Sequence, residues 1–211
     1  LVDDGSADAT WAEIRAVAST DERVVGQRLG SNVGQTGALC AGFSVARGEV
    51  VVMMDDDLEA DPADAVRFIE AVRGGADFAS GRRTGPRAPV RAIPSALYNL
   101  RLRRRWRLPF HDAGCGFNAL TLELARQLAS AGWRVRQHRF KPTVAQLTER
   151  IVEVPIRVRR TTTSHHTVRS LAASWLDVEL HLGSTTRRRF AALGVATPLA
   201  LSGVAAIVAA S

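Results

Sequence analysis

The sequence predicts an α/β fold in which a mostly parallel sheet is flanked by helices on both faces. Strand-like and helix-like segments alternate from Leu1 to about Ser80, separated by glycine-rich turns. The segment at residues 49–54 is a continuous apolar run, as expected of a strand that is buried on both faces. With 211 residues, of which 46% are hydrophobic, the chain has room for one ordinary domain and an appendage.

The elements of this alternation follow one another in a regular order. They are a strand end at Leu1 and Val2, an amphipathic helix at 10–18, a strand at 23–29, a small-residue helix ending near Gly48, the strand at 49–54, a helix from Asp61 to about Gly74, and a strand at 76–80. Asp61 has the N-cap residue type and Pro62 suits the first helical turn. The opening on a strand end predicts that an N-terminal segment is missing.

The second half of the chain is less regular. Residues 85–94 contain three prolines and predict a mobile loop, and residues 101–107 form an arginine-rich run around Trp106. A turn at 112–116, a helix at 120–130 and a strand at 151–158 follow. Residues 190–210 carry no charge and are long enough to span a bilayer, directly after three arginines.

These segments predict three parts: a catalytic domain at 1–160, a basic or amphipathic juxtamembrane segment at 161–189, and a transmembrane helix at 190–211. The two cysteines lie far apart, which argues against a disulfide scaffold or zinc knuckle and agrees with a reducing cytoplasm. We therefore expect the protein at the cytoplasmic face of the cell membrane, although a buried or amphipathic helix at 190–210 is an alternative.

The net charge of +7 comes almost entirely from arginine, because Lys141 is the only lysine. Guanidinium groups pair with phosphate oxygens in two places, so the excess suits a phosphate-bearing partner. Charge alone does not distinguish nucleic acid, anionic lipid and phosphorylated substrates. The run at 101–107 is equally typical of a solvated face and of contact with anionic head groups.

Two acidic clusters carry the strongest chemical signal. Asp3 and Asp4 follow one predicted strand, and Asp55, Asp56 and Asp57 follow another. Because the carboxyl ends of parallel strands share one edge of the sheet, both clusters should face one crevice. Carboxylates this close together need a cation or a shifted pKa, and oxygen ligands favour Mg²⁺ or Mn²⁺. A solvated acidic turn is the alternative.

A glycine-rich segment precedes the second helix. Asn32, Gly34 and Gly37 lie in it, and a helix start of this kind can bind an anion. The segment lacks the lysine of a P-loop, which argues against an NTPase.

Together these motifs resemble the family 2 glycosyltransferases of the GT-A fold. The resemblance is carried by residues 2–8, by Asn32 and Gly34 with the small residues Ala38, Gly42, Ala46 and Gly48, and by residues 54–59 with Pro62. Residues 77–83, 112–119, 138–140 and 153–156 resemble the polyprenyl-phosphate group of that family, which includes dolichyl-phosphate mannosyltransferase.

The resemblance implies a site and its ligands. It assigns Asp3, Asp4, Ser6, Asn32, Gly34 and Asp56 to the nucleotide-sugar donor, which is UDP- or GDP-linked, and Asp55, Asp57 and Glu59 to a Mg²⁺ or Mn²⁺ ion. It assigns Arg82, Arg159 and Ser164 to a membrane lipid phosphate, and gives Asp55, Asp57, Arg82 and Asp112 catalytic roles. Glu59 replaces the family's usual Gln, Asn118 its usual Arg, and Thr162, His165 and His166 replace the expected Gly, Lys and Tyr.

A lipid monophosphate is largely dianionic at pH 7, so it needs positioning more than a general base. We therefore expect direct displacement with inversion and no nucleic-acid partner. Three alternatives stay open: a family 2 enzyme acting on a polysaccharide or another glycolipid, a phosphorelay receiver with Asp55 and Lys141 in its acceptor roles, and a nucleic-acid-binding protein that uses the arginine run.

Overall fold

A computed structural model describes residues 1–55, 59–85, 89–130 and 139–158, and of residues 89–94 only the backbone. The strands are β1 (Val2–Asp3), β2 (Gln27–Arg28), β3 (Val50–Met53), β4 (Phe78–Thr84), β5 (Asn118–Thr121) and β6 (Ile151–Arg157). The helices are α1 (Thr10–Thr20), α2 (Gln35–Val45), α3 (Ala65–Arg73), α4 (Pro89–Trp106), α5 (Leu122–Ser130) and α6 (Phe140–Leu147). A short 3-10 helix, Pro62–Asp64, precedes α3.

The strands form two sheets. β1 and β2 pair in parallel, and a second sheet has the order β3-β5-β4-β6. In this sheet β4 and β6 pair in parallel, whereas β5 runs antiparallel to both β3 and β4. Strands β3, β4 and β6 therefore point the same way, and the predicted α/β architecture is confirmed, but the sheet is mixed because β5 runs antiparallel to both of its neighbours.

The strand ends that can form a site lie at one edge of the larger sheet. The carboxyl ends of β3, β4 and β6 lie there, and the antiparallel β5 contributes its amino end, with Asn118 opposite both Met53 and Ser80. Beyond the strands, Ala60 pairs with Val158. The segment that follows β3 therefore reaches the far side of the sheet, beside the end of β6.

The core lies on both faces of the larger sheet. On one face α3 contributes Phe68 and Val72, and the Phe68 ring stacks on Phe117 at 4.5 Å between centroids. Successive strand residues point to opposite faces, and Phe78 on the other face packs edge-on against Phe110 and Phe140. Apolar packing on both faces explains why β3 is a continuous apolar run.

The prediction of a mobile loop at 85–94 is wrong from Pro89 onward, because α4 begins there. Pro89 takes the first helical position, where a missing N–H loses no intrahelical partner. Pro94 removes one backbone hydrogen bond, which a helix of 18 residues tolerates when one of its faces is packed.

The helix predicted at 120–130 begins later, at Leu122, because the residues before it form β5. A short apolar run does not distinguish a strand from a buried helix by its periodicity. β2 is also much shorter than the expected strand at 23–29, whereas β4 continues to Thr84 and so includes Arg82 and Arg83. Helix α6 is not among the elements that the sequence predicts.

The predicted juxtamembrane segment at 161–189 and membrane helix at 190–211 lie outside the described residues. Within the described part of the chain, no helix is both long and apolar enough to cross a membrane.

Candidate functional site

The first turn of α2 is tied to the acidic end of β1. Asp4 accepts hydrogen bonds through both carboxylate oxygens, from Val33 N and Gly34 N, each at 2.8 Å. Asn32 Oδ1 is a second acceptor for Gly34 N, at 3.2 Å. Gly34 has a φ of 85°, a left-handed conformation that favours glycine at this helix start. A carboxylate at a helix amino end is stabilised by the helix dipole.

The neighbouring Asp3 is buried, with 2% of its surface exposed. Its Oδ1 accepts a hydrogen bond from Ser6 N at 2.9 Å, and its Oδ2 lies 3.2 Å from Arg28 Nε. Hydrogen bonds from the side chain and backbone of Ser6 lower the pKa of Asp3, and the charge of Arg28 lowers it further. Asp3 is therefore held ionised beneath the turn that Asp4 begins.

Gly5 allows this turn to lie against the loop before α2. A Cβ on Gly5 would come within 2.8 Å of the Ser31 carbonyl carbon and 2.9 Å of Asn32 N, both backbone atoms, and its φ of +73° also favours glycine. A cavity of about 360 Å³ opens beside this contact, lined by Gly5, Arg28, Leu29 and Gly30.

Asp55, just beyond β3, reaches the same helix start. Its Oδ1 accepts a hydrogen bond from Gln35 Nε2 at 2.5 Å. Its Oδ2 lies against Gly116, where an added Cβ would be only 1.9 Å away. Asp4 thus binds Gly34 and Asp55 binds Gln35, two adjacent residues. The acidic ends of β1 and β3 meet at the first turn of α2, as the sequence predicted from the shared strand edge.

One of the predicted metal ligands, Asp55, lies at this meeting point. Asp55 offers carboxylate oxygens, and the absence of a side chain on Gly116 leaves space for them. Asp56 and Asp57 lie outside the described residues. Among the described residues alone, no group of three or more His, Cys, Asp or Glu side chains is arranged to hold a metal. The predicted set of Asp55, Asp57 and Glu59 therefore stays a prediction.

Asp112 occupies a buried position and pairs with Arg83. Its Oδ2 accepts from Arg83 Nε at 2.8 Å and from Arg83 N at 3.1 Å, and its Oδ1 accepts from Arg83 Nη2 at 2.9 Å. These bonds raise the pKa of Arg83 despite its burial, with a smaller contribution from the charge of Glu59. A two-point pair of this kind fixes the orientation of both side chains.

Lys141 supports the loop that contains Asp112. Only 3% of its surface is exposed, and its Nζ donates to Ser80 Oγ and to the Asp112 backbone carbonyl, both at 2.8 Å. Burial lowers the pKa of Lys141 to about 8. The loop it supports also contains Cys115, and burial raises the pKa of that thiol. A packing role for Cys115, rather than a nucleophilic one, is consistent with that shift.

Two further contacts hold residues 111–116, which we call the Asp112 loop. Glu153 on β6 accepts from His111 N at 2.7 Å and contacts His111 Nδ1 at 2.5 Å. Asn99 on α4 accepts from Ala113 N at 3.1 Å. The Asp112 loop is therefore fixed by β4, β6, α4 and α6, and it presents Gly116 to Asp55.

Of the three residues assigned to the acceptor, only Arg82 lies in the described part of the chain. Arg82 is exposed on β4, next to Arg83. Arg159 and Ser164 lie outside the described residues, so their assignment stays a prediction.

The sequence assigned no role in this site to six of its residues, although four of them lie in motifs discussed above: Gln35, Arg83, Asn99, Gly116, Lys141 and Glu153. One signal was present, since a single lysine in an arginine-rich chain suggests a special position. The others depend on contacts between distant segments. Lys141 also bears on the receiver hypothesis, because its amine binds Ser80 and the Asp112 carbonyl. A receiver would instead need that amine at the phosphoacceptor Asp55.

Comparison with known proteins identifies the family of this chain. The family model described as glycosyl transferase family 2 matches residues 1–129, more than half of the chain. The undecaprenyl-phosphate 4-deoxy-4-formamido-L-arabinose transferase of Pseudomonas paraeruginosa is 37% identical over 121 residues, which are 56% of this chain and 36% of that protein. The dodecaprenyl-phosphate galacturonate synthase of Rhizobium johnstonii is 34% identical over 148 residues, 67% of this chain and 42% of that protein. The chain thus spans less than half the length of either relative.

Solved structures support the fold. The glucosyl-3-phosphoglycerate synthase of Mycobacterium tuberculosis, determined with Mn²⁺, UDP-glucose and glycerol 3-phosphate, aligns with a TM-score of 0.56 at 19% identity. The alignment covers 92% of this chain and 68% of that one. At this identity the likeness concerns the architecture alone.

Proposed function

The chain belongs to glycosyltransferase family 2, and from that premise we propose that it transfers a sugar from a nucleotide-sugar donor to a polyprenyl phosphate in a membrane. One observation carries the proposal: Asp4 and Asp55, from separate strand ends, bind adjacent residues at the first turn of α2. Both relatives described above carry a polyprenyl phosphate in their names. This supports a lipid phosphate as the acceptor.

The donor nucleoside binds beside Asp3 and Asp4. Asp3 Oδ2 is buried and accepts no hydrogen bond within the described part of the chain, although Arg28 lies close to it. A hydroxyl or ring N–H of a UDP- or GDP-linked donor can supply that missing hydrogen. Ser6, Asn32, Gly34 and Asp56 complete the proposed donor site, and the cavity beside Arg28 offers room for a base.

Asp55, Asp57 and Glu59 hold a Mg²⁺ or Mn²⁺ ion at the donor diphosphate. When bound, such an ion offsets the negative charge that develops on the leaving nucleoside diphosphate. Of this set, Asp55 is already positioned, because its carboxylate lies between Gln35 and Gly116.

The acceptor phosphate is the nucleophile. Its second pKa near 6 makes it largely dianionic at pH 7, so no base has to remove a proton. One phosphate oxygen forms a bond to the anomeric carbon while the bond from that carbon to the diphosphate breaks, with inversion. Arg82, Arg159 and Ser164 bind the phosphate, and Asp112 acts by positioning, since Arg83 engages its carboxylate.

We place this reaction at the cytoplasmic face of the cell membrane, with residues 190–211 as the membrane anchor.

The test uses the full-length protein with Mn²⁺, a polyprenyl phosphate and a panel of UDP- and GDP-sugars. We expect a lipid-linked sugar whose anomeric configuration is inverted, and no product after chelation of the metal or in Asp57→Ala. Transfer that survives Asp57→Ala would contradict the metal assignment. Transfer to a polysaccharide or another glycolipid, with none to lipid phosphate, would support the alternative family 2 activity instead.

A further inference from the structure

Helix α4 has two exposed leucines on one of its sides. Leu97 and Leu100 are 53% and 39% exposed. Arg101 and Arg104 are also exposed, and positions 97, 100, 101 and 104 share one helical face because they are three, four and seven residues apart. We call these four residues the outer face of α4. Exposed leucines surrounded by arginines are typical of helices that lie in a membrane interface.

The charge around this face has one sign. Residues 89–110 contain six arginines and no Asp or Glu. Such a segment is attracted to anionic surfaces, and each arginine near an anionic bilayer contributes about 1 kcal/mol. Nucleic acid carries the same negative charge, but its phosphates offer no apolar region in which an exposed leucine could be buried. The combination therefore favours a lipid surface, where apolar side chains reach the acyl region.

The opposite side of α4 is bound to the candidate site. Leu102 is 1% exposed, Asn99 is 6% exposed, and Asn99 Oδ1 accepts the hydrogen bond from Ala113 N. The helix starts five residues after β4 ends, at the sheet edge that carries Arg82 and Arg83. One helix thus connects the Asp112 loop with an outward surface of leucine and arginine.

We infer that the outer face of α4 docks on an anionic lipid bilayer and so brings the Asp112 loop to the membrane that holds the acceptor. The choice of partner rests on the proposed function, whereas the contact itself is measurable without any sugar transfer. Docking through this helix would be additional to any anchor formed by residues 190–211.

The experiment labels full-length protein with an environment-sensitive dye at Leu97→Cys. The matched control is Val17→Cys on α1, which is 47% exposed and lies outside the site. Both cysteines of this chain are buried, and full-length protein without an introduced cysteine provides the labelling blank. Each protein is reconstituted into vesicles of phosphatidylcholine, alone or mixed with phosphatidylglycerol. Brominated acyl chains serve as the quencher of any dye that enters the bilayer.

We expect a blue shift and quenching of the dye at position 97 in the anionic vesicles, with neither change at position 17. Arg104→Gln should lower the ratio of docked to undocked label about fivefold, and Arg15→Gln on α1 should leave it unchanged. Leu100→Ser should also lower it.

Three outcomes would overturn the inference. The dye at position 97 could stay in water with both lipids, it could respond to an oligonucleotide but not to vesicles, or it could be equally shielded before and after lipid is added. A protein that docks without transferring sugar would contradict only the proposed function. One that transfers sugar while position 97 stays in water would contradict only the docking.

Discussion

The carboxylate of Asp55 lies directly against Gly116, with no room for a side chain between them. A Cβ on Gly116 would be 1.9 Å from Asp55 Oδ2 and 2.6 Å from its Cγ. On its other side the carboxylate is held by Gln35 at 2.5 Å. The acidic end of β3 is therefore positioned by the start of α2 and by the Asp112 loop, which are far apart in the sequence.

Gly116→Ala should displace the Asp55 carboxylate, because the new methyl group overlaps it. We expect Mn²⁺ affinity, measured by calorimetry, and sugar transfer to fall at least tenfold, as when groups that orient metal ligands are altered. Gly48→Ala is the matched control, because its Cβ meets only Val50 O at an ordinary 3.5 Å. Equal Mn²⁺ affinity in the two variants would contradict a metal role for Asp55.

Asp4→Ala should leave the N–H groups of Val33 and Gly34 without their carboxylate partner. We expect a loss of about 1 kcal/mol in the free energy of unfolding, measured with urea, and weaker nucleotide binding. Asp8→Ala is a useful comparison, since Asp8 Oδ1 similarly accepts a hydrogen bond from Thr10 N at the start of α1. Asp8→Ala should lower the free energy of unfolding by a similar amount and leave UDP and GDP binding intact. Identical nucleotide affinity in both variants would argue against donor binding at Asp4.

Two adjacent arginines on β4 should respond differently to substitution. Arg83→Ala removes the partner of the buried Asp112 carboxylate, so we expect it to lower the free energy of unfolding by about 3 kcal/mol. Arg82→Ala removes an exposed side chain and should change stability by less than about 0.5 kcal/mol. It should instead raise the KM for lipid phosphate in the transfer assay. A KM unchanged by Arg82→Ala would remove Arg82 from the acceptor site.

Lys141 should make stability depend on pH in the alkaline range. Its pKa is about 8 in the folded protein and about 10.4 in an unfolded chain, so between these values the unfolded chain holds more protons. The contribution of Lys141 to the free energy of unfolding therefore rises as the pH increases from about 8 to about 10.4. Relative to Lys141→Met, the free energy of unfolding of the unmodified protein should gain about 3 kcal/mol over that range. A difference that is independent of pH would contradict a pKa of Lys141 lowered by burial.

The candidate site was predictable wherever it depended on local pattern. Strand and helix alternation placed Asp3, Asp4 and Asp55 at strand ends, and the shared edge of such strands implied their convergence. Asn32 and Gly34 were recognisable from the helix start that follows them. The partners of these residues were not predictable, because Gln35 and Asp55 are 20 positions apart and Ser80 and Lys141 are 61 apart.

The sequence by itself determined the α/β class, the family and the two acidic strand ends, because hydrophobic periodicity and short motifs are properties of neighbouring residues. Only the tertiary structure decided that β5 enters the sheet antiparallel between β3 and β4, and that it brings the Asp112 loop to the same edge. In that arrangement Gly116 contacts Asp55, Arg83 pairs with Asp112, and Lys141 is buried. Strand order depends on which distant segments pack together, and no local pattern of residues specifies that choice.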